Sequence, residues 1–263
     1  MATAFGLTLD EAAVLPLVSE LKPEDIVTVT LKNKVCISPG ANAEYEKREA
    51  TLPMVNCMNK ELLLLACKEF DDACSEMRLH LSSGPKRFAK FREILGMEYR
   101  VDWDNCAAAQ AAQTIDSFKE ARNQFLALQF EDTDYLDEKQ YLNRVSKPKE
   151  MDCMSLFTRL RLINDFMQYL PGAVDKYTDQ ELKIIYYKMM PSDWKIAYLQ
   201  TARPITDETY SAMDMARYMR ICESVGRGSS SQRGRGTTRR QSSRNDRNVR
   251  SRTGRSGKSS KRP

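Results

Sequence analysis

Hydrophobic periodicity divides the chain into two kinds of segment. Over residues 26–37 apolar and polar residues alternate, and this period of two predicts a short β-hairpin that turns at Asn33-Lys34. From residue 59 to residue 225 apolar residues recur every three or four positions, which predicts a succession of amphipathic helices. We therefore predict an all-α protein with a β-like segment near its N-terminus, preceded by a short helix within residues 1–25.

Helix breakers suggest how the helices are grouped, because proline and glycine interrupt helical hydrogen bonding. The sequence Ser-Lys-Pro-Lys at residues 146–149 is short, basic and broken by proline, so we predict an interdomain linker there. The helical segments before it form a predicted N-terminal lobe at residues 57–146, and those after it form a predicted C-terminal lobe at residues 150–225. Residues 1–56 form a separate N-terminal segment.

The predicted C-terminal lobe contains four helical segments. The first, over residues 153–170, has a continuous apolar stripe, and Phe157 and Leu160 on that stripe are predicted core residues. The second begins at Thr178-Asp-Gln-Glu181, where the threonine and glutamate side chains are spaced to satisfy each other's free backbone N–H groups in a capping box. Pro191 is predicted to end this second helix.

Trp194 follows this proline by three residues, in a short third segment. An indole between two prolines is typical of a core residue, so we predict that Trp194 and Pro191 have structural roles and that the ring closes the base of the lobe. The fourth helix is predicted to begin at Thr206, because Asp207 and Glu208 would then lie favourably in its first turn.

Charge is divided unevenly along the chain. Residues 226–263 carry thirteen Arg and Lys and one acid, a formal charge of +12, whereas the preceding 225 residues carry 28 basic and 35 acidic residues, a charge of −7. The basic segment contains no aromatic residue and only one aliphatic residue, Val249. Such a composition cannot bury enough apolar surface to offset the entropy of ordering, so this tail is predicted to be disordered.

The tail is the strongest functional signal in the sequence. Flexible arginines separated by small residues can follow a phosphate backbone and release its counterions, while the lack of aromatic rings removes base stacking and hence most sequence preference. We predict weakly specific binding to single-stranded RNA by these side chains: Arg227, Arg233, Arg235, Arg239, Arg240, Arg244, Arg247, Arg250, Arg252, Arg255, Lys258, Lys261 and Arg262. A solubilising tail, or nuclear import through the KSSKR sequence at residues 258–262, is the alternative.

Candidate catalytic and metal-binding groups are sparse. The single histidine, His80, has no cysteine or acid arranged around it, and no phosphate-binding glycine loop occurs. The acids between Glu131 and Glu138 are predicted to form a solvated turn at the start of a helix rather than a divalent-cation site. The seven cysteines are odd in number and never spaced as C-x-x-C, so reduced thiols are expected. We expect no enzymatic activity, cofactor or bound metal.

Membrane and export signals are also weak. The longest strongly apolar run, residues 62–67, is too short to cross a bilayer, and the first residues lack the basic region of a signal peptide. The sequence therefore predicts a soluble cytoplasmic protein without a membrane partner, with nuclear localisation through the basic tail left open.

Three stretches stand out in order along the chain. The first is SSGPKRFAKFREIL at residues 82–95, and the second, at residues 140–172, combines a tyrosine-bearing helix, a Lys-Pro linker and a long helix. The third, at residues 177–199, is a capped helix followed by proline and tryptophan, and together the three resemble the Gag proteins of Copia-type LTR retrotransposons. The resemblance covers roughly residues 44–225. It implies a two-lobed, all-α capsid fold that self-assembles into virus-like particles around the element's RNA. Many Gag proteins carry a C-x-x-C-x-x-x-x-H-x-x-x-x-C zinc knuckle, but residues 226–263 contain neither cysteine nor histidine, so RNA binding is expected to depend on charge.

Two functions follow from these features. The first is a structural Gag-like protein that forms particles and packages RNA through its tail. The alternative is a monomeric helical RNA-binding or RNA-chaperone protein, which would share the tail but not the assembly. A helical enzyme with an unrecognised site is a third and weaker hypothesis.

Overall fold

The computed structural model describes residues 15–38, 44–79, 84–172, 175–201 and 204–233, with side chains described as far as residue 226. A 3-10 turn, Pro23–Asp25, precedes two strands, β1 (Thr28–Ser38) and β2 (Glu44–Pro53). The helices of the described residues are α1 (Lys60–Glu76), α2 (Gly84–Ile94), α3 (Met97–Ala108), α4 (Ile115–Ala127), α5 (Asp134–Arg144), α6 (Cys153–Met167), α7 (Asp179–Met189), α8 (Ser192–Leu199) and α9 (Ala212–Arg233). The protein is thus mostly helical with a two-stranded sheet near its N-terminus, as the hydrophobic periodicity predicted. Of the helix predicted within residues 1–25, residues 1–14 lie outside the described residues.

The hairpin differs from its prediction. β1 continues straight through Asn33-Lys34 and pairs antiparallel with β2, from Thr28 opposite Pro53 to Ser38 opposite Glu44. The predicted turn was wrong because Asn33 is buried in mid-strand, where its side-chain amide donates a 2.8 Å hydrogen bond to the carbonyl of Met77 at the end of α1. An asparagine that resembles a turn signal in the sequence therefore anchors the sheet to a helix.

An aromatic cluster forms the core of helices α1 to α4. Trp103 on α3 is 1% exposed, and its ring centroid lies 4.6 Å from that of Phe91 on α2. Further rings surround this pair: Phe70, Phe88, Phe118 and Phe125. Edge-to-face aromatic pairs stabilise a core beyond the burial of their area. α3 begins at Met97, and its buried face carries Tyr99 and Trp103.

The N-terminal ends of α6 and α7 are capped by side chains. Asp152 accepts the backbone N–H groups of Met154 and Ser155 at the start of α6. The predicted capping box of α7 is confirmed, since Thr178 and Glu181 each accept the other's backbone N–H. The stripe of α6 faces the core, where Phe157 and Leu160 are 1% and 0% exposed.

The fourth helix of the C-terminal half, α9, begins at Ala212 and not at Thr206, so its predicted start was wrong. The Asp207 carboxylate accepts the N–H and hydroxyl of Thr209 in a local turn, and the fully buried Lys183 donates to the carbonyls of Asp207 and Tyr210. Since these bonds hold the backbone as a loop, the acids that looked like a helix start lie before it.

The helices of both predicted lobes belong to one compact unit, Met1–Glu223, and Ser224–Pro263 form a second unit. Within the first unit, the Tyr169 hydroxyl after α6 donates a 2.9 Å bond to Asp71 on α1. In the predicted linker, the backbone N–H of Lys147 donates a 2.9 Å bond to the carbonyl of Met189. The linker is therefore fixed against α7, and the division into two capsid-like lobes stays a prediction.

α9 extends beyond the point where the basic tail was predicted to begin. Its backbone is helical to Arg233, whereas the sequence predicted a helix that ends near Val225. The remaining stretch of the predicted disordered tail, residues 234–263, lies outside the described residues.

Candidate functional site

The predicted RNA-binding side chains lie at and beyond the C-terminal end of α9. Arg227 and Arg233 are placed on this helix by its backbone. The other eleven predicted residues, from Arg235 to Arg262, lie outside the described residues. The last residue of the first compact unit is Glu223.

Glu223 is the centre of a buried polar cluster, which we call the Glu223 cluster and which also contains Lys147, Cys153 and Trp194. Oε1 of Glu223 lies 3.3 Å from Nζ of Lys147, and their side chains are 8% and 7% exposed. Oε2 accepts the backbone N–H of Cys153 at 3.0 Å, in the first turn of α6. The Lys147 amine also donates to the carbonyl of Met151 and lies 5.7 Å from the centre of the Trp194 ring. One carboxylate thus connects α9, the predicted linker and α6.

Electrostatics favour the charged form of this carboxylate. Burial alone would raise the pKa of Glu223, but the hydrogen bond from Cys153 and the charge and hydrogen bond of Lys147 outweigh it, so the pKa is lowered. The same environment raises the pKa of the Cys153 thiol to about 12, through burial and the nearby Glu223 charge. A neutral thiol is a poor nucleophile, so the geometry supports a structural anchor here.

Trp194 corrects one prediction. The ring is only partly buried, although it packs against the core as a structural residue; the fully buried side chain of α8 is Tyr198, which is 1% exposed. The sequence placed Trp194 in the core because tryptophans near helix breaks commonly lie there, but its ring instead packs at the edge of the core, close to Lys147. Pro191 is exposed at the N-cap of α8 and ends α7, as predicted.

The acidic stretch before α5 also differs from its prediction as a solvated turn. Asp134 and Glu138 are 7% and 1% exposed, because the chain that precedes β1 and the start of α1 cover them. Asp134 forms a 3.0 Å ion pair with Lys60, and Glu138 accepts the backbone N–H of Leu15 at 2.8 Å. The other three acids are exposed: Glu131, Asp132 and Asp137. Within the described residues, no group of three or more His, Cys, Asp and Glu side chains could hold a metal ion.

α8 and α9 expose apolar side chains that the sequence analysis did not identify. We call Ile196, Leu199 and Ile221 the α8–α9 surface; they are 55%, 55% and 59% exposed. The two helices adjoin, since the Tyr218 hydroxyl of α9 donates a 3.0 Å bond to the carbonyl of Ala197 in α8. Large apolar side chains exposed on neighbouring helices are a feature of protein–protein contact surfaces.

The cysteines are all free thiols. Burial raises the pKa of Cys67 to about 12 and that of Cys74 to about 11, so both stay protonated and unreactive at neutral pH. In the part of the chain that the structure describes, no helix has the length and apolar character needed to cross a membrane. In comparisons with known proteins, the chain matches no family model, no curated protein and no solved structure.

Proposed function

We propose that the protein is a Gag-like structural protein that self-assembles into virus-like particles and packages retroelement RNA through residues 226–263. The observation that carries the proposal is the segregation of charge, +12 in this segment against −7 in the 225 residues before it. Acidic bodies repel one another at low salt, whereas an RNA strand bound to many tails concentrates them along one molecule. The proposal assigns the protein no catalytic role.

Two features of the described residues support a structural role. The first unit is mostly helical with a large apolar core, in keeping with the helical fold that the resemblance implies. The α8–α9 surface offers apolar side chains to a second copy of the chain, and weak contacts of this kind add up when many subunits lie on one RNA. A monomeric RNA-binding or RNA-chaperone protein would share the tail, so assembly is the property that separates the two.

RNA binding is tested by truncation. If about half of the thirteen basic side chains engage at once, log Kd for single-stranded RNA should change with log salt with a slope of roughly 4 to 5. Deletion of residues 226–263 should weaken binding to a fluorescent oligouridine by about 100-fold or more near physiological salt. A chain that ends at Arg233 keeps α9 intact and two of the basic residues, and so separates the loss of charge from the loss of helix. Equal affinity of the truncated and full chains would refute the tail assignment.

Assembly is tested with the full chain and RNA, by light scattering and negative-stain microscopy. We expect particles at lower protein concentration when RNA is present, and fewer particles for Ile196→Asp or Leu199→Asp at unchanged RNA affinity. Met97→Asp is the matched control, since Met97 is 76% exposed on α3. Small discrete complexes over a wide range of concentration would instead support the monomeric RNA-binding protein.

A further inference from the structure

A short extended segment before β1 is held by side chains of α5. We call residues 15–19 the N-terminal strap. The backbone N–H of Leu15 donates a 2.8 Å bond to Oε2 of Glu138, and that of Leu17 donates a 3.1 Å bond to the hydroxyl of Tyr141. Both leucines are buried, at 8% and 2% exposure. The strap therefore covers one face of α5.

The strap also contacts α1 and α6. Arg159 on α6 donates to the carbonyl of Pro16 at 3.0 Å, and its guanidinium pairs with the buried Glu61 on α1. Glu61 in turn accepts the hydroxyl of Ser19 at 2.8 Å. The strap is therefore bonded to side chains of α1, α5 and α6, which are all distant from it in sequence. Release of the strap would expose polar groups on these three helices at once.

Glu138 is the least satisfied of these partners. It is 1% exposed, and its Oε1 is a buried oxygen with no hydrogen-bond partner among the described residues. A space of about 10 Å³ beside it, lined by Leu15, Lys60 and Asp134 among others, is at the lower limit for one water molecule. Leu15 is one of the residues that keep water from this carboxylate, so release of the strap would open the carboxylate to solvent.

The surrounding charges do not offset the loss of hydration of the Glu138 carboxylate. Burial raises the pKa of Glu138 to about 7, against an ordinary value of 4.5; the Leu15 hydrogen bond and the charge of Arg159 lower it, and Asp134 and Glu61 raise it further. The Lys60 amine, which lines the space beside Glu138, is already paired with Asp134. Tyr177, at the start of α7, also interacts with Glu138. The strap itself contributes no charged side chain.

We propose that Glu138 is a protonation-controlled latch, which holds the N-terminal strap on α5 when its carboxyl group carries a proton and releases the strap when the group ionises. A neutral carboxyl group still accepts the Leu15 N–H through its carbonyl oxygen, and it avoids the cost of a buried charge. This regulatory device is independent of the RNA-binding tail and goes beyond the proposed function.

The direction of the pH dependence follows from linkage. The docked state holds the Glu138 proton more tightly than the released state, so docking is strongest below the ordinary pKa and weakens as pH rises through the docked pKa. Between pH 4.5 and pH 7.5 the docking equilibrium should fall by roughly 100-fold. Above that range docking should depend little on pH, because Glu138 is then ionised in both states.

The test uses hydrogen exchange of the full chain, with intrinsic exchange rates corrected for pH. The protection factors of the Leu15 and Leu17 amides should fall by roughly 100-fold from pH 4.5 to pH 7.5 in the wild-type protein, and should change little in Glu138→Gln. Asp137→Asn removes an exposed acid from the adjacent position and should keep the wild-type dependence. A dependence that survives Glu138→Gln, or disappears in Asp137→Asn, would overturn the proposal.

A second measurement covers the case in which Glu138→Gln fails to fold. The carbon-13 chemical shift of the Glu138 carboxyl group in the wild-type protein reports its ionisation directly. We expect a midpoint well above those of the exposed glutamates in the same chain. A midpoint near 4.5 in the intact chain would rule out the latch.

Discussion

The Lys147–Glu223 pair allows a test of whether the predicted linker is fixed. Both side chains are more than nine-tenths buried and their charged atoms lie 3.3 Å apart. Removing one partner of a buried ion pair leaves an uncompensated charge, which typically costs about 3–5 kcal/mol. Lys147→Met should show this loss, because Glu223 then loses its cationic partner, although it still accepts the Cys153 N–H.

Replacing Glu223 instead of Lys147 should lower the free energy of unfolding by less. In Glu223→Gln the amide oxygen still accepts the Cys153 N–H, and the Lys147 amine still has the Met151 carbonyl and the Trp194 ring. We expect a loss of about 1–3 kcal/mol, typical of one hydrogen bond to a charged group. The double variant carries no buried charge here, so it should be more stable than Lys147→Met alone, with a coupling energy of at least about 1 kcal/mol.

The assay is urea unfolding of the chain and its three variants at pH 7.5 and pH 5. The lowered pKa of Glu223 means that its ion pair stabilises the fold above the ordinary pKa and that this stability is lost as pH falls through the lowered value. In Lys147→Met the lysine no longer lowers that pKa, so the penalty of the substitution should shrink towards pH 5. A Lys147→Met variant as stable as the wild type at pH 7.5 would refute the anchoring and favour a mobile linker.

Two further substitutions test the core and the loop before α9. Trp103→Ala should lower the free energy of unfolding by about 3–5 kcal/mol because its ring is fully enclosed. Trp194→Ala should lower it by about 1–2 kcal/mol because that ring is half-buried. Equal losses in urea unfolding would contradict the exposures of the two rings. Lys183→Met removes the only buried amine that reaches the carbonyls of Asp207 and Tyr210 within the described residues, so it should cost about 2–4 kcal/mol and increase hydrogen exchange over residues 207–211. Unchanged exchange there would contradict the role of Lys183.

Helices were predictable where their signals are local. The apolar stripe of α6 and the capping box of α7 depend on residues within four positions of one another, so the sequence contains their whole explanation. The start of α9 was not predictable in this way. Its acidic residues satisfy the local rule for a helix start, but Lys183, distant in sequence, holds them in a loop.

Buried polar residues account for the other differences. Asn33 reads as a turn residue and Glu138 as a solvated acid, and each is buried by a partner far along the chain, Met77 and Leu15 respectively. Local propensity describes what these side chains favour in isolation, whereas tertiary contacts decide whether water or protein satisfies them. The arginines beyond α9 are the opposite case, because their proposed role depends on composition and needs no fixed partner.

The fixed linker bears on how such a protein could assemble. A lattice of identical subunits with curvature needs some adjustable joint, and the sequence suggested one at residues 146–149. There the Lys147 backbone is bonded to Met189 and its side chain to Glu223, so movement at that point would break a buried ion pair. The strap is held by the burial of Leu15 and Leu17 and by hydrogen bonds, one of them to the Glu138 carboxyl group, whose pKa is raised by burial. Because residues 15–19 carry no charged side chain, release of the strap would break no ion pair, and pH becomes a variable that assembly experiments have to control.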